Sequence, residues 1–573
     1  MAGLIGIAPT PRLFGADEPA LSPELRAFTE GAFVPAAYAR ERLLAVAGAF
    51  RQAASTPWPV IGRMAHRFAD DYYDRIHLTP RALALGNVVS QLVSEVSVWN
   101  AWRTRPATVT ALVLDGDTGM TLAPDVVPAL FAPLQELTWT LTVATEGPPL
   151  IDARLAFVFA SGEVWSLTIT GQRLQAWSLP PNWTEPVAET LAWLTDVQTT
   201  LAGSVVRTPL RDAPRRSWEF SVLADRAERR AMENLLYDWS ARTWALPVFV
   251  DTTWLRTSVP AGAMAIMFET AGLDFVVGGL AMLWRSERLY ELVEVVTLAA
   301  TGISLRAPTQ AAWPVGTRLI PCRTAHLTTA PELRRHTDRL VDTRLQFEAT
   351  EPCDWPPMAP VVRYRGLPVF EDRPDWSDPP TATFARRATV LDGDVGRTAV
   401  DDVSGLVWTT QSHAWRLFGR AERAAHRSLL YWLQGRAEAL WLPTWTDDVE
   451  VIETIGETAL LLVVAWAGIA RSLRMQAGRR HLRIELYDGT IFYRAIEAAD
   501  ELELPNSETG ERLERVRMDV ALGRVVAPER VRLVSWMALV TLAGDTVELQ
   551  HHADSEGLLD CSVAFASVGE EEP

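Results

Sequence analysis

The side chains that could do chemistry in this sequence are few and scattered. Asp70, Asp71 and Asp74 form an acidic patch, and paired carboxylates can do acid–base work when their surroundings split their pKa values. Flanked by Tyr72, Tyr73 and Arg75, they read instead as a solvated or interfacial edge. His551 and His552, with Asp545 and Asp554, could build a metal corner, but adjacent residues of a strand point to opposite faces. DGDTG (115–119) and DGDVG (392–396) open like calcium loops. Neither continues with the oxygen ligands and twelfth-position Glu that such a loop needs, so they read as Asp-Gly turns. Cys322, Cys353 and Cys561 form no CxxC pair and no disulfide framework. There is no GxSxG, HExxH or phosphate-cradling loop. Asn182-Trp183-Thr184 matches a glycosylation sequon, taken as chance because no secretion signal accompanies it. The expectation is a non-enzyme with no catalytic residue, no cofactor and no metal.

The composition points towards surfaces. All 54 positive charges are arginine, with no lysine at all. Coding bias accounts for that readily, yet the planar guanidinium fork also suits interfaces. The 23 tryptophans offer large area for cores and contacts. A net charge of −17 disfavours nucleic-acid binding, which needs clustered cations. The first residues, MAGLIGIAPTPRLFGADEP, lack the cationic start and apolar run of a signal peptide. The longest apolar stretch, Ala459–Ala470, is too short to span a bilayer and reads as buried sheet. No membrane anchor is expected, and the chain is expected to stay in a cytoplasm unless it leaves within an assembled particle.

The elements that must carry these residues are mostly strands. Residues 1–68 read as an N-terminal arm followed by a helix over 34–54. Alternating runs such as ATVTALVLD, WTLTVAT and RLAFVFA, separated by turn pairs, predict an immunoglobulin-like β-sandwich over 69–180. Residues 181–213 read as a helical linker, with the helix at Glu185–Leu201 ended by Gly203.

An internal repeat follows. Residues 226–249 read RAERRAMENLLYDWSARTWALPVF, and residues 420–445 read RAERAAHRSLLYWLQGRAEALWLPTW. RAER, LLY and a later Arg align without a gap, and a two-residue insertion brings LP into register. Each copy predicts a strand, a helix, a Pro-bounded strand and then further strands. In the first copy, Asp225 is the expected helix cap with Glu228 three residues on, and Ala227, Ala231, Leu235 and Trp239 the expected buried face. The reading is thus mainly β and multidomain, with two related β domains each carrying a helix, over 214–350 and 411–573. A Pro-rich connector joins them over 351–410.

The repeat unit resembles the distal-tail and baseplate-hub domains of long-tailed bacteriophages (siphophages) and gene transfer agents. Residues 313–347 resemble the strand run that follows the helix there, and 515–549 the C-terminal part of hub-like proteins. DDYYDRIHLTP, LGNVVS and VSVWNAWR, within 70–103, resemble the immunoglobulin-like module that precedes such repeats. EPVAETLAWLTDV with PLRDAPRRSWEF is similar to the linker into the first repeat. These segments span most of 70–573. The resemblance implies a virion structural role at the tail tip or upper baseplate, assembled in the host cytoplasm. It implies a homo-oligomeric ring of three- or six-fold symmetry, beside distal tail protein, hub and fibres. Trp218, Trp239, Trp244, Trp415, Trp432 and Trp441 are the candidate contact residues, as Trp and Arg dominate the energetics of such interfaces, though several of them must also be core. An acidic ring lumen would let DNA pass without sticking. Host attachment through the immunoglobulin-like module is compatible with this. The alternative is a carbohydrate-binding or glycan-processing protein, marked by a groove with two carboxylates roughly 5–10 Å apart beside aromatics.

Overall fold

The computed structural model describes residues 72–568, save 89–90, 145–146, 149, 201–204, 474–477, 503–511 and 555–556. The arm, the helix over 34–54, Asp70 and Asp71 lie outside the described residues. The fold is mainly β and multidomain, and the chain divides into two compact units at Arg173/Leu174.

The first unit is a two-sheet sandwich. One sheet orders Ile76–Thr79, Leu92–Asn100, Glu136–Val143 and Met120–Ala123; the other orders Ala82–Val88, Val164–Arg173, Leu150–Phe159, Ala107–Asp115 and Ala129–Phe131. Alternation drives it: in Leu92–Asn100, Val96, Val98 and Asn100 turn inward while their neighbours are half-buried or exposed. Trp139, Phe131, Phe157 and Leu155 fill the core. Buried Arg173 closes one end by donating to the carbonyls of Ala144 (3.0 Å), Pro148 (2.7 Å) and Thr118 (3.0 Å). The sandwich thus ends at Arg173, short of the expected residue 180, because the next residues pair elsewhere: Gln175–Ala176 runs parallel to Trp244–Ala245 in the second unit.

In the second unit both repeats fold alike, strand for strand. The entering strand Arg215–Asp225 leads into α1 (Arg226–Trp239) and leaves through Trp244–Pro247. Its counterparts are Ala399–Phe418, α2 (Gly419–Leu433) and Leu440–Pro443. In the first copy the entering strand pairs with Leu340–Ala349, and Arg318–Leu327 pairs with Trp244–Pro247, Leu280–Ser286 and Leu340–Ala349. In the second, the entering strand pairs with Leu558–Ser567, and Val531–Leu542 pairs with Leu440–Pro443, His481–Leu486 and Leu558–Ser567. The last hairpin is also shared: Leu333–Arg335 on Leu340–Ala349, and Thr546–His551 on Leu558–Ser567.

Three expectations are corrected here. The segment read as a helical linker is strand: Val187–Ala192 and Thr195–Thr199. Its Ala, Leu and Glu suit a helix, but both edges of Val187–Ala192 are claimed, by 215–219 on one side and 546–551 on the other. Tertiary pairing overrides weak local propensity. The connector ends earlier than expected, because residues 381–391 already pair with the entering strand of the second copy, which starts at Ala399. In α1 the buried face is Met232, Leu236 and Trp239, with Ala231 exposed, and Asp225 makes no side-chain capping bond. The second copy caps its helix start by the reverse bond: the Glu422 carboxylate accepts the Phe418 N–H at 2.8 Å.

Candidate functional site

The second unit encloses its densest charge where the two copies meet. The strand Val187–Ala192 lies between them and carries Glu189 inward. Glu189 accepts from Arg216 of the first copy, and from His551 (2.8 Å) and Arg427 (3.4 Å) of the second. Asp274 accepts from Arg216 and from Arg323 (3.1 Å). Asp251 pairs with Arg427 (3.1 Å) and Arg423 (3.6 Å), and Arg423 also donates to the Val250 carbonyl (3.0 Å). Glu351 stands 3.6 Å from Arg323. All but Glu351 are buried.

Burial alone would push these carboxyls up. Arg216 and Arg427 outweigh it at Glu189, and Arg216 and Arg323 at Asp274, so both stay ionised. Burial pushes His551 down against the pull of Glu189. Arg423 and Arg427 come from one face of α2 at i, i+4 spacing, so one helix supplies two cations across the junction. A second link lies beside it: Asp545 accepts the backbone N–H of Thr195 (2.9 Å) and of Arg436 (3.1 Å), and pairs with the Arg436 guanidinium (3.1 Å). Each buried carboxylate here meets at least one guanidinium, while Arg216 Nη2 and His551 Nδ1 are buried without a hydrogen-bond partner; the arrangement suits holding two bodies in register.

The tryptophans expected at contacts between subunits are placed otherwise. Trp218, Trp239, Trp244, Trp415 and Trp441 are buried within the chain, and Trp432 is half-buried. Trp244 stacks edge-on with Trp177, and Trp441 donates to the Tyr364 carbonyl (3.0 Å). Their large apolar area goes to the chain's own cores. Sequence reading missed the ion cluster because its members are spread from Glu189 to His551. The one local signal was Arg423 and Arg427 at i, i+4 spacing in a helix that continues into the apolar run LLYWL.

A cavity of about 390 Å³ beside the second copy is lined by Asp375, Trp415, Arg416, Glu548 and Asp560 among others. Carboxylates beside an aromatic ring are also what the groove of a glycan enzyme would carry. Asp560 is held low by its hydrogen bond from Arg416, and Asp375 by the Ser377 N–H and hydroxyl. The Trp415 indole is buried and donates to the Asp372 carbonyl (3.1 Å), so it offers no stacking platform. In the first unit Tyr72, Tyr73, His77 and Trp99 pack on one another, with Arg103 over Tyr73 at 4.3 Å. Tyr72 is exposed, while Tyr73, His77 and Trp99 are half-buried. His551 and His552 point to opposite faces, His552 pairing with Asp560 at 3.1 Å. Among the described residues no group of three or more His, Cys, Asp or Glu could hold a metal ion. The three cysteines are free and buried. No helix among the described residues is long and apolar enough to cross a membrane.

No protein-family model matches the chain, and no curated protein matches it. Among solved structures it is similar to the crystal structure of the periplasmic chaperone SfaE, at 10% identity over 26% of this chain and 92% of that one. The TM-score is 0.15, which carries no argument about fold or function.

Proposed function

We propose that the chain is a structural subunit of a phage-type tail tip or baseplate, a ring-forming scaffold between the end of the tail tube and the distal or receptor-binding proteins. One observation carries this reading: the chain holds two copies of one folded block, fused by a shared strand and clamped by buried opposite charges. Such doubling places two similar blocks in one chain, joined through a buried ion cluster that suits holding geometry. A tandem copy also lets one subunit occupy two equivalent places in a ring, so three chains present six similar blocks. The resemblance of the repeat unit to distal-tail and hub domains supplies the setting.

The test is mass photometry and negative-stain imaging of the purified full chain, with mass spectrometry of particles from a producing culture. A discrete closed ring and presence in tailed particles are the expected results. A chain that stays monomeric up to tens of micromolar, and is missing from purified particles, removes the proposal.

A further inference from the structure

The contact inside the chain has a twin at each end of the tandem that is unpaired among the described residues. The strand Val187–Ala192 pairs on one edge with the entering strand of the first copy, where Glu189 faces Trp218. In the second copy the strand in that place is Thr381–Leu391, where Ala382 faces Gln411. The positions correspond because Trp218 faces Phe347 and Gln411 faces Phe565 in the next strand over. VAETLA (187–192) thus corresponds to PTATFA (380–385). The other edge of Val187–Ala192 is covered by Thr546–His551 of the second copy. The other edge of Thr381–Leu391 is unpaired among the described residues.

The complementary edge has the same standing among the described residues. His551 faces Leu559, and in the first copy Arg335 faces Val341 at the same place. Leu333–Arg335 therefore stands where Leu549–His551 stands, and its outer edge is likewise unpaired among the described residues. Side chains agree with the backbone. Leu191 has no exposure and sits in the core of the second copy, whereas its counterpart Phe384 is 62% exposed. The Tyr of the shared LLY motif is 4% exposed at Tyr431, where it meets Trp193 and donates to the Cys353 carbonyl. At Tyr237 it is 95% exposed.

We infer that the strand 380–385 of one chain pairs antiparallel with the edge 331–335 of a second copy, repeating the internal contact, with Phe384 and Tyr237 covered in the process. The contact rests on the assembly reading above and gives it an interface. It is heterologous, so repeating it closes a ring or runs on as a filament according to the rotation per step. By the internal register, Thr381 faces Arg334 of the next copy and Thr383 faces Glu332, as Ala188 faces Gln550 and Thr190 faces Glu548. The N–H groups of Ala382 and Phe384 point outward by the alternation of the ladder. Pro380 and Pro331 each lack an N–H, so this ladder is shorter than the internal one. Ala382 replaces Glu189, so the new contact has no central carboxylate. It is the weaker of the two and the one that assembles reversibly.

The experiment uses the full chain carrying Thr381→Cys with Arg334→Cys, which face each other closely enough for a disulfide. The native cysteines are buried and stay silent. Mild oxidation is expected to give a ladder of covalent multiples on a non-reducing gel, while each single variant stays essentially at one chain length. Separately, Tyr237→Arg and Phe384→Asp, both at exposed positions that leave the fold intact by circular dichroism, are each expected to weaken self-association at least ten-fold in light scattering. An oligomer whose double-cysteine form cross-links no better than the single variants, or whose association neither surface change weakens, overturns this contact and leaves the ring reading standing. A chain that is monomeric throughout sinks both.

Discussion

Glu189 shows how much one side chain can be asked to hold. It meets two guanidiniums and an imidazole drawn from both copies. A buried ion network is no more stabilising than a well-packed apolar one, but deleting one partner strands the rest. Glu189→Ala is therefore expected to cost about 3–5 kcal/mol, measured by urea unfolding. A loss under about 1 kcal/mol would mean the cluster is wetter than its burial indicates. Besides His551, two other buried histidines shape the acid response. Burial pushes His413 and His426 down to about 4, and both rings flank Trp415. A free histidine titrates near 6.5, so between about 6.5 and 4 the unfolded chain takes up protons that the folded chain refuses. Stability is therefore whole above about 6.5 and drains as pH falls through that window, before the buried carboxylates begin to protonate. His426→Leu should flatten the slope of unfolding free energy against pH there; an unchanged slope would locate the acid sensitivity elsewhere.

Among the elements, the strand Val187–Ala192 decides whether the two copies behave as one body. Its two edges belong to different copies, and Leu191 joins the second copy's core. In this ladder the Thr190 N–H faces the entering strand of the first copy, so Thr190→Pro deletes a ladder bond in a strand paired on both sides. Calorimetry of the parent is expected to show the tandem melting as one transition, and of Thr190→Pro as two at lower temperature. A single sharp transition in the variant would mean that α2 and its arginines couple the copies without this strand. This element was also the one least legible in the sequence. The repeat, its helices and the Pro-bounded exits were readable because RAER, LLY and LP recur at matching spacing. EPVAETLAWL looked helical because alanine, leucine and glutamate favour a helix locally. The force that makes it a strand comes from residues 546–551, which no local window contains. The same non-locality hid the ion cluster, and which of the candidate tryptophans serve the core was not readable because nothing in a linear pattern separates a core ring from an interface ring.

For the molecule as a whole, the division at Arg173 makes a direct claim. The sandwich has its own core, and Arg173 satisfies three carbonyls inside it. A fragment spanning 72–174 is expected to fold alone and unfold in two-state fashion by near-ultraviolet circular dichroism. A fragment cut at 168 removes Arg173 and the end of the last strand, and should not fold. If both fragments were disordered, the sandwich would depend on residues beyond 174.

The shared strand also orders events during synthesis. A ribosome delivers Val187–Ala192 early, yet the partner strand ending at His551 emerges only after most of the chain has been made. Until then Glu189 and Arg216 have each other, but Arg427 and His551 are still missing, and one edge of the nascent sheet lies bare. The first copy therefore waits half-zipped for the second. Chains truncated between residues 350 and 551 keep that edge bare and are the ones expected to aggregate.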